Sequence, residues 1–192
     1  MDNKTNIMQC AQELFYAKGY DAVGIQEIVD KAGITKPTLY YYFGSKYGLL
    51  QALLETKLEE MLVQMRCVVQ EGGNIKTVLE RMAEVHVGAF AKDRKFYMLT
   101  MALLYSAREN DAYKAVHPYI TELYQIVVQA FEGAAQQLGN MNGRQKQFAV
   151  GFLGTIHHYL LLCEAEDDGE FAKRKAGIIQ SLVHQFMHGI FS

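Results

Sequence analysis

Two histidines near the end of the chain have a spacing that can bind metal. His184 and His188 lie four residues apart in HQFMH, so both imidazoles would share one face of a helix. A zinc protease has a Glu directly after the first His of such a pair, and Gln185 stands there instead. His157 and His158 are adjacent and would point about 100° apart on a helix. We therefore predict no metal site and expect each histidine to be a core, interface or pocket residue.

The sequence contains no other catalytic constellation. The Glu-x-x-His motif of di-iron carboxylate bundles is absent, as are a nucleophile–base pattern and a Gly-rich loop that could cradle phosphates. The three cysteines, Cys10, Cys67 and Cys163, form no CxxC pair, and their odd number and wide spacing favour a reducing compartment. These patterns argue against an enzyme and against a bound cofactor.

Length and composition indicate a globular protein outside the membrane. At 192 residues the chain suits one large or two small domains, and a hydrophobic content of 50% allows a sizeable core. The polar start of the chain is not followed by the apolar stretch of a signal peptide. No run reaches the ~18 apolar residues of a membrane span, and the most apolar stretch, residues 96–107, suits a buried helix. We expect a cytoplasmic protein without a membrane partner.

Apolar residues recur at helical spacing along most of the chain, and no strand pattern competes with them. The pattern predicts an all-α fold of about nine helices. Two short helices ending at Gly33 and near Gly44 follow a first helix over residues 4–18, and longer helices are expected over residues 46–70, 75–91, 94–107, 112–138, 144–164 and 170–189. Pro118 should kink or divide the seventh helix because proline lacks a backbone N–H.

The stretch Gly24–Leu50 predicts a helix-turn-helix. Gly33 stands where a helix can end in the left-handed conformation that glycine adopts cheaply. Thr35 is placed to cap the second helix of the motif, and Ser45 is placed to cap the long helix that follows.

The second helix of this motif has an unusual surface. Leu39 and Phe43 are four residues apart and should point together into a core. A helix of about two turns cannot also bury the three consecutive tyrosines of Tyr40–Tyr42, so some of these rings must face water or a partner. Lys36 and Lys46 flank them with positive charge. Together these features favour a helix that enters the major groove of DNA.

The segment AGITKPTLYYYFGSKYGLL resembles the DNA-binding signature of TetR-like (TetR/AcrR) transcriptional regulators, and the resemblance covers roughly residues 5–54. It implies a three-helix, helix-turn-helix DNA-binding domain at residues 1–47. It also implies a C-terminal helical bundle at residues 48–192, which binds a small-molecule effector and forms a homodimer. Gly24 departs from the Thr or Ser that often caps the second helix of the family.

The resemblance also implies which residues contact DNA. Seven positions would lie against bases or their flanks, namely Gln26, Thr35, Lys36, Pro37, Thr38, Tyr40 and Tyr41. Tyr42 and Lys46 would contact phosphates, since hydroxyl and ammonium groups bind phosphate without reading sequence. Residues 1–47 contain five lysines and five acidic residues, so their net charge is zero. Attraction of DNA phosphates to the predicted reading surface must therefore come from the positions of individual lysines rather than from the net charge.

An effector cavity is implied by the resemblance and fits the composition of the middle of the chain. Methionine and aromatic side chains line adaptable apolar cavities, and an ordinary core is the alternative for any one of them. The candidate cavity residues are Met61, Met65, Met82, His86, Phe90, Met98, Met101, Tyr105 and Tyr124.

The last two predicted helices carry more apolar width than one packing contact needs. Surplus apolar surface on neighbouring helices favours a self-complementary two-fold interface, and a buried hairpin within a monomer is the alternative. The candidate interface residues are Phe152, Ile156, Ile179, Val183 and Phe186.

Taken together, the sequence predicts a homodimeric transcriptional regulator that binds a near-palindromic DNA operator. Repression is expected because most members of the resembled family are repressors. A small molecule bound in the C-terminal domain would release or modulate it. Two alternatives stay open: a helical-bundle enzyme or small-molecule carrier without DNA binding, and a protein-interaction module if Tyr40–Tyr42 prove to be buried.

Overall fold

The structure, a computed structural model, describes residues 2–139 and 141–189. This part of the chain folds into nine α-helices, which confirms the predicted all-α class. The helices are α1 (Asn3–Lys18), α2 (Ile25–Ala32), α3 (Lys36–Phe43), α4 (Lys46–Glu71), α5 (Ile75–Lys92), α6 (Arg94–Leu104), α7 (Asp111–Gly133), α8 (Gln145–Leu162) and α9 (Asp168–His188). None of these helices is long and apolar enough to cross a membrane.

The chain divides into two compact units. The N-terminal unit contains the residues up to Glu60 together with Lys95–Ile120, and the C-terminal unit contains Met61–Arg94 and the residues from Thr121 onward. Helices α4 and α7 contribute to both units. The N-terminal unit therefore includes α1–α3, the first half of α4 and most of α6, and so extends beyond the predicted helix-turn-helix domain.

The N-terminal unit is built around a continuous apolar core. Its centre is formed by fully buried side chains that include Ile7, Ile28, Leu39, Leu50 and Leu54. Leu39 and Phe43 are 0% and 9% exposed, as predicted from their spacing. Because α3 is fixed by these two side chains on one face, its opposite face is left outside the core.

The turn between α2 and α3 follows its predicted chemistry with one exception. Gly33 is left-handed with φ 66° and ψ 34°, and the Ile34 N–H donates to the Val29 carbonyl at 3.0 Å. Thr35 occupies the N-cap position of α3, but the prediction that its side chain caps the helix is wrong. Its hydroxyl lies 3.0 Å from the Thr38 hydroxyl instead.

The entry into α4 depends on a residue without a side chain. Ser45 caps α4 as predicted, because its Oγ accepts the Gly48 N–H at 2.9 Å. A Cβ atom at Gly48 would lie 2.0 Å from the Phe43 carbonyl oxygen, far inside van der Waals contact. Only glycine therefore fits where the chain turns sharply from α3 into α4.

Two later helices end earlier than predicted. α6 ends at Leu104, and the Ser106 hydroxyl then donates to the Leu103 carbonyl at 2.7 Å. α7 ends at Gly133 and is continuous through Pro118, so the prediction that this proline divides the helix is wrong. Buried residues on both sides of the proline, including Val116 and Leu123, hold the helix in the core.

The C-terminal unit packs α5 against α8 and α9. Its core contains the buried side chains Met82, Phe90, Phe152, Phe171 and Val183. A group of four phenylalanine rings joins α7, α8 and α9, with ring centroids 5.4–6.4 Å apart. Its members are Phe131, Phe148, Phe152 and Phe186. Edge and tilted contacts of this kind each add about 0.5–1.5 kcal/mol to area burial.

Arg94 fastens the connection between α8 and α9. Its guanidinium donates to the carbonyls of Glu164, at 2.8 Å, and of Glu166, and it pairs with the Asp168 carboxylate at 2.8 Å. The same group lies over the rings of Phe90 and Phe171, 4.9 and 5.6 Å from their centroids. The planar fork of arginine suits this several-sided site, which a lysine could not fill.

Candidate nucleic-acid interface

Helix α3 presents three tyrosines outward. Tyr40, Tyr41 and Tyr42 are 46%, 84% and 38% exposed, while Leu39 and Phe43 are buried. The prediction that a two-turn helix displays these rings is confirmed. The Tyr41 and Tyr42 rings meet edge to face at 5.2 Å, so the two rings position each other on the surface.

The other predicted contact residues lie on the same part of the unit. Gln26, Thr35, Lys36 and Pro37 are exposed, and Thr38 is half-buried. They belong to α2, to the turn and to the first turn of α3, which is where a groove-reading surface of a helix-turn-helix lies. Their contacts with DNA remain a prediction.

Gln26 has a local partner that the sequence analysis missed. Its Nε2 donates to the Asp30 carboxylate at 2.7 Å, one helical turn further along α2. The bond uses one amide hydrogen and leaves the amide oxygen and the second hydrogen available. The four-residue spacing between Gln26 and Asp30 is the signal that could have revealed the pair.

Lys46 is held inward rather than extended into solvent. Its Nζ donates to the carbonyl oxygens of Tyr20 and Val23, both at 3.0 Å, and lies 4.3 Å from the centroid of the Tyr20 ring. An ammonium has three N–H donors, so these two bonds leave one for a phosphate. Burial and nearby acidic groups raise the pKa of the Tyr20 hydroxyl to about 12, so the ring under the ammonium stays neutral.

Acidic residues of the helix-turn-helix are compensated locally. Glu13 pairs with Lys31 at 2.9 Å, and the hydrogen bond from Lys31 lowers the pKa of Glu13 from its usual value. Glu27 pairs with Lys18. Lys36 is exposed on the tyrosine-bearing helix and forms no ion pair with any described residue. A net charge of zero over residues 1–47 therefore still leaves an uncompensated cation on the predicted reading face.

The helix-turn-helix has a recognisable family. The profile described as "Bacterial regulatory proteins, tetR family" matches residues 7–53, a range that runs from α1 into α4. The helix-turn-helix of this chain is that of the tetR family of bacterial regulatory proteins. This match confirms the TetR-like helix-turn-helix predicted from the sequence and, at the level of the family, the prediction of a DNA-binding transcriptional regulator.

A curated relative matches beyond this domain. The HTH-type transcriptional activator FasR of Mycolicibacterium smegmatis is 25% identical over 157 residues, which are 79% of this chain and 68% of FasR. The chain spans about two thirds of the length of the curated relatives that match most of it. These relatives are named as transcriptional regulators rather than as enzymes.

Solved structures of DNA-binding regulators share the fold over almost the whole chain. FadR from Bacillus subtilis, solved in complex with stearoyl-CoA, matches with a TM-score of 0.79 and 18% identity over 97% of this chain and 98% of FadR. AibR, solved in complex with isovaleryl coenzyme A and operator DNA, matches with a TM-score of 0.71 and 19% identity over 92% of this chain and 97% of AibR. At these identities the likeness establishes the TetR fold of the C-terminal helices.

The predicted cavity residues lie in both units. Met65, Met82, His86 and Phe90 are fully buried in the C-terminal unit, where Met61 and Tyr124 are half-buried. Met98, Met101 and Tyr105 belong to the N-terminal unit, and Tyr105 is 70% exposed. A common cavity for this set remains a prediction.

His86 and His157 form a polar pair inside the C-terminal unit. His86 Nδ1 lies 3.3 Å from His157 Nε2, joining α5 to α8. Burial lowers the pKa of His157 to about 4, with a smaller effect of His158, and burial likewise holds the pKa of His86 well below its usual value. Both rings are therefore neutral near pH 7 and can exchange hydrogen bonds with each other or with a bound polar group.

The predicted interface residues lie mostly inside the protomer. Phe152, Ile156, Ile179 and Val183 are between 0% and 8% exposed, and Phe186 is half-buried in the aromatic group. The apolar width of α8 and α9 is thus largely used within the C-terminal unit. The apolar side chains of α8 that are exposed are not among the predicted interface residues. They are Val150, Leu161 and Leu162, which are 60%, 45% and 83% exposed. Sequence periodicity marks both sets equally and could not separate them.

Proposed function

We propose that the protein is a homodimeric transcriptional regulator that reads an operator through α3 and responds to a small molecule in its C-terminal unit. The observation that carries the proposal is the display of three tyrosines and Lys36 on a helix whose other face is fixed in the core. Repression is the direction of regulation expected for the family. Measuring transcription in vitro from a promoter that carries the operator distinguishes repression from activation.

The reading surface divides into base and backbone contacts. Tyr41 is the most exposed ring and, with Pro37, offers an apolar face for thymine methyl groups. Gln26, oriented by Asp30, supplies the amide that pairs with adenine edges. The Tyr42 hydroxyl binds phosphate, as the resemblance implies. Lys36, which the resemblance places against bases or their flanks, is assigned to phosphate because its ammonium is exposed on α3, and Lys46 serves mainly to fix the start of α4.

Selection from random duplex DNA, followed by binding titrations at several salt concentrations, tests this division. Near-palindromic sites are expected, with half-sites about one or more helical turns apart. Tyr41→Ala should change the preferred bases and keep the affinity for random DNA. Lys36→Ala should weaken binding to all sequences alike and reduce the salt slope by about 1.8, because a dimer loses two phosphate contacts at about 0.9 each. Unchanged binding by both variants would reject the assignment of α3.

A second copy of the chain is proposed to cover the outward face of α8. Val150, Leu161 and Leu162 each expose apolar surface to water on this helix. Sedimentation velocity compares two matched variants in the same unit, Val150→Glu and Val63→Glu, whose parent side chains are 60% and 46% exposed. Only Val150→Glu should shift the protein toward monomer. Equal behaviour of the two variants would remove α8 from the interface.

The effector is proposed to act by population shift through α4, which belongs to both units. A ligand that binds one state better must change operator affinity by the same factor by which operator changes ligand affinity. Stearoyl-CoA and isovaleryl-CoA are the first probes, because FadR and AibR were solved with them. Calorimetric titration of each probe with and without operator should give different affinities. Binding that is independent of operator would contradict the coupling.

A further inference from the structure

The exposed pair His184 and His188 is used by neither the core nor the DNA-reading surface. Both residues lie on the outward side of α9, both side chains are exposed, and their ring centroids are 4.6 Å apart with the rings tilted by 42°. Neither imidazole forms a hydrogen bond with any residue that the structure describes. A packing role, which the sequence analysis favoured, does not account for two solvent-facing rings that contact each other.

We propose that His184 and His188 chelate a divalent first-row transition ion, Zn²⁺ or Ni²⁺ in particular. Imidazole nitrogens suit these ions, and two histidines one turn apart on a helix are a known pair of ligands. Zinc–nitrogen bonds of about 2.0–2.1 Å at a tetrahedral angle place the two nitrogens about 3.3 Å apart. Rings whose centroids are already 4.6 Å apart reach that separation by small side-chain rotations.

The surroundings of the pair favour a cation. His188 lies in the last turn of α9, where the negative end of the helix dipole stabilises positive charge. The groove beside His184 is open and is lined by Gly177, Gln180 and Ser181, which leaves room for water molecules to complete the coordination shell. Lys76 also lines this groove, and its ammonium is paired with Glu80 at 3.8 Å, which reduces its repulsion of a bound cation.

Competition against a chromophoric chelator tests the site in the purified, metal-stripped full-length protein at pH 7.5, with ZnCl₂ and NiCl₂ as probes. One ion should bind per chain. His184→Ala and His188→Ala should each lower the affinity by at least the 10- to 100-fold that follows loss of even an outer-shell partner.

Two control variants keep the test specific. His158→Ala removes a single exposed histidine of α8, and Cys67→Ser removes an exposed thiol on α4, so neither should change the affinity. Sedimentation of every variant verifies that the assembly is unchanged. Absence of zinc and nickel binding by the parent protein, full affinity in His184→Ala or His188→Ala, or an equal loss in His158→Ala would overturn the proposal.

Discussion

Replacing Lys46 by methionine tests the assignment of this residue as a structural fastener of α4. The substitution keeps the length and apolar stem of the side chain and removes only the ammonium. In the structure the ammonium forms two hydrogen bonds of 3.0 Å to the Tyr20 and Val23 carbonyls and a cation–π contact of 4.3 Å with the Tyr20 ring. We expect Lys46→Met to destabilise the protein and to leave its DNA-reading side chains in place.

The size of the effect follows from these contacts. A hydrogen bond to a charged donor contributes about 1.5–3 kcal/mol, and an exposed cation–π contact about 0.5–1 kcal/mol. Lys46 is half-buried, so water replaces part of what the carbonyls lose, and we expect a net loss of about 2–4 kcal/mol. For a protein of this size, 1 kcal/mol shifts Tm by about 2–4 °C, which gives a fall of about 5–15 °C.

Lys36→Met is the matched control, because it makes the same substitution at an exposed lysine without an ion pair among the described residues. Its stability should stay within about 0.5 kcal/mol of the parent, whereas its affinity for DNA should fall at every sequence. Thermal and urea unfolding at one fixed protein concentration, followed by DNA titration, measure both effects, since a dimer melts at a concentration-dependent temperature. If Lys46→Met melts like the parent, the fastening role is refuted. If Lys36→Met unfolds early, the contrast between the two lysines is refuted.

Three further predictions concern stability. Gly48→Ala should lower the free energy of unfolding in urea by about 2 kcal/mol or more, because its new Cβ would lie 2.0 Å from a backbone oxygen. Gly24→Ala is the control, since the space around Gly24 is open, and it should change the free energy of unfolding by less than about 0.5 kcal/mol. Equal effects of the two substitutions would contradict the steric argument. The pKa values of His86 and His157 are lowered in the fold, so the unfolded chain binds protons first as the pH falls through ~6.5. The stability that these neutral histidines contribute above that pH should therefore be lost progressively down to pH ~4. For His157 the loss in the free energy of unfolding is up to about 3 kcal/mol. Urea unfolding at pH 7.5 and pH 5 measures this loss, and a His157→Gln variant with an unchanged slope would show that the titrating group lies elsewhere. Arg94→Lys should lower the free energy of unfolding by about 2 kcal/mol and speed hydrogen exchange in the connection between α8 and α9, because an ammonium cannot reach the carbonyls and the carboxylate together. Hydrogen exchange there as slow as in the parent protein would show that Arg94 does not stabilise this connection.

The helix-turn-helix could be predicted because its determinants are local. Gly33 fixes the turn through its own backbone preference, and the spacing of Leu39 and Phe43 fixes which side of α3 meets the core. Once two positions of a two-turn helix are committed inward, geometry leaves the tyrosines outside. The same reasoning predicted the Ser45 cap, since a hydroxyl at that position reaches the N–H three residues on.

Other features depend on neighbours that are distant in sequence. The family resemblance implies a phosphate contact for Lys46, yet its ammonium donates to carbonyls more than twenty residues earlier in the chain. Thr35 stands at a cap position, but the hydroxyl of Thr38 is a competing partner. Pro118 would break an isolated helix, and packing of α7 on both sides of it keeps the helix intact.

The helical class and the tetR-like helix-turn-helix at residues 7–53 could be predicted without a structure, because helical periodicity, glycine turns and a dense local motif are properties of short segments. Three features became visible only in the folded chain: which apolar residues of α8 and α9 stay exposed, how Glu13 and Glu27 are paired with lysines, and that the rings of His184 and His188 lie side by side in solvent. The physical reason is that a side chain's periodic position gives its direction on a helix, whereas its burial, charge environment and partners are set by what packs against that helix.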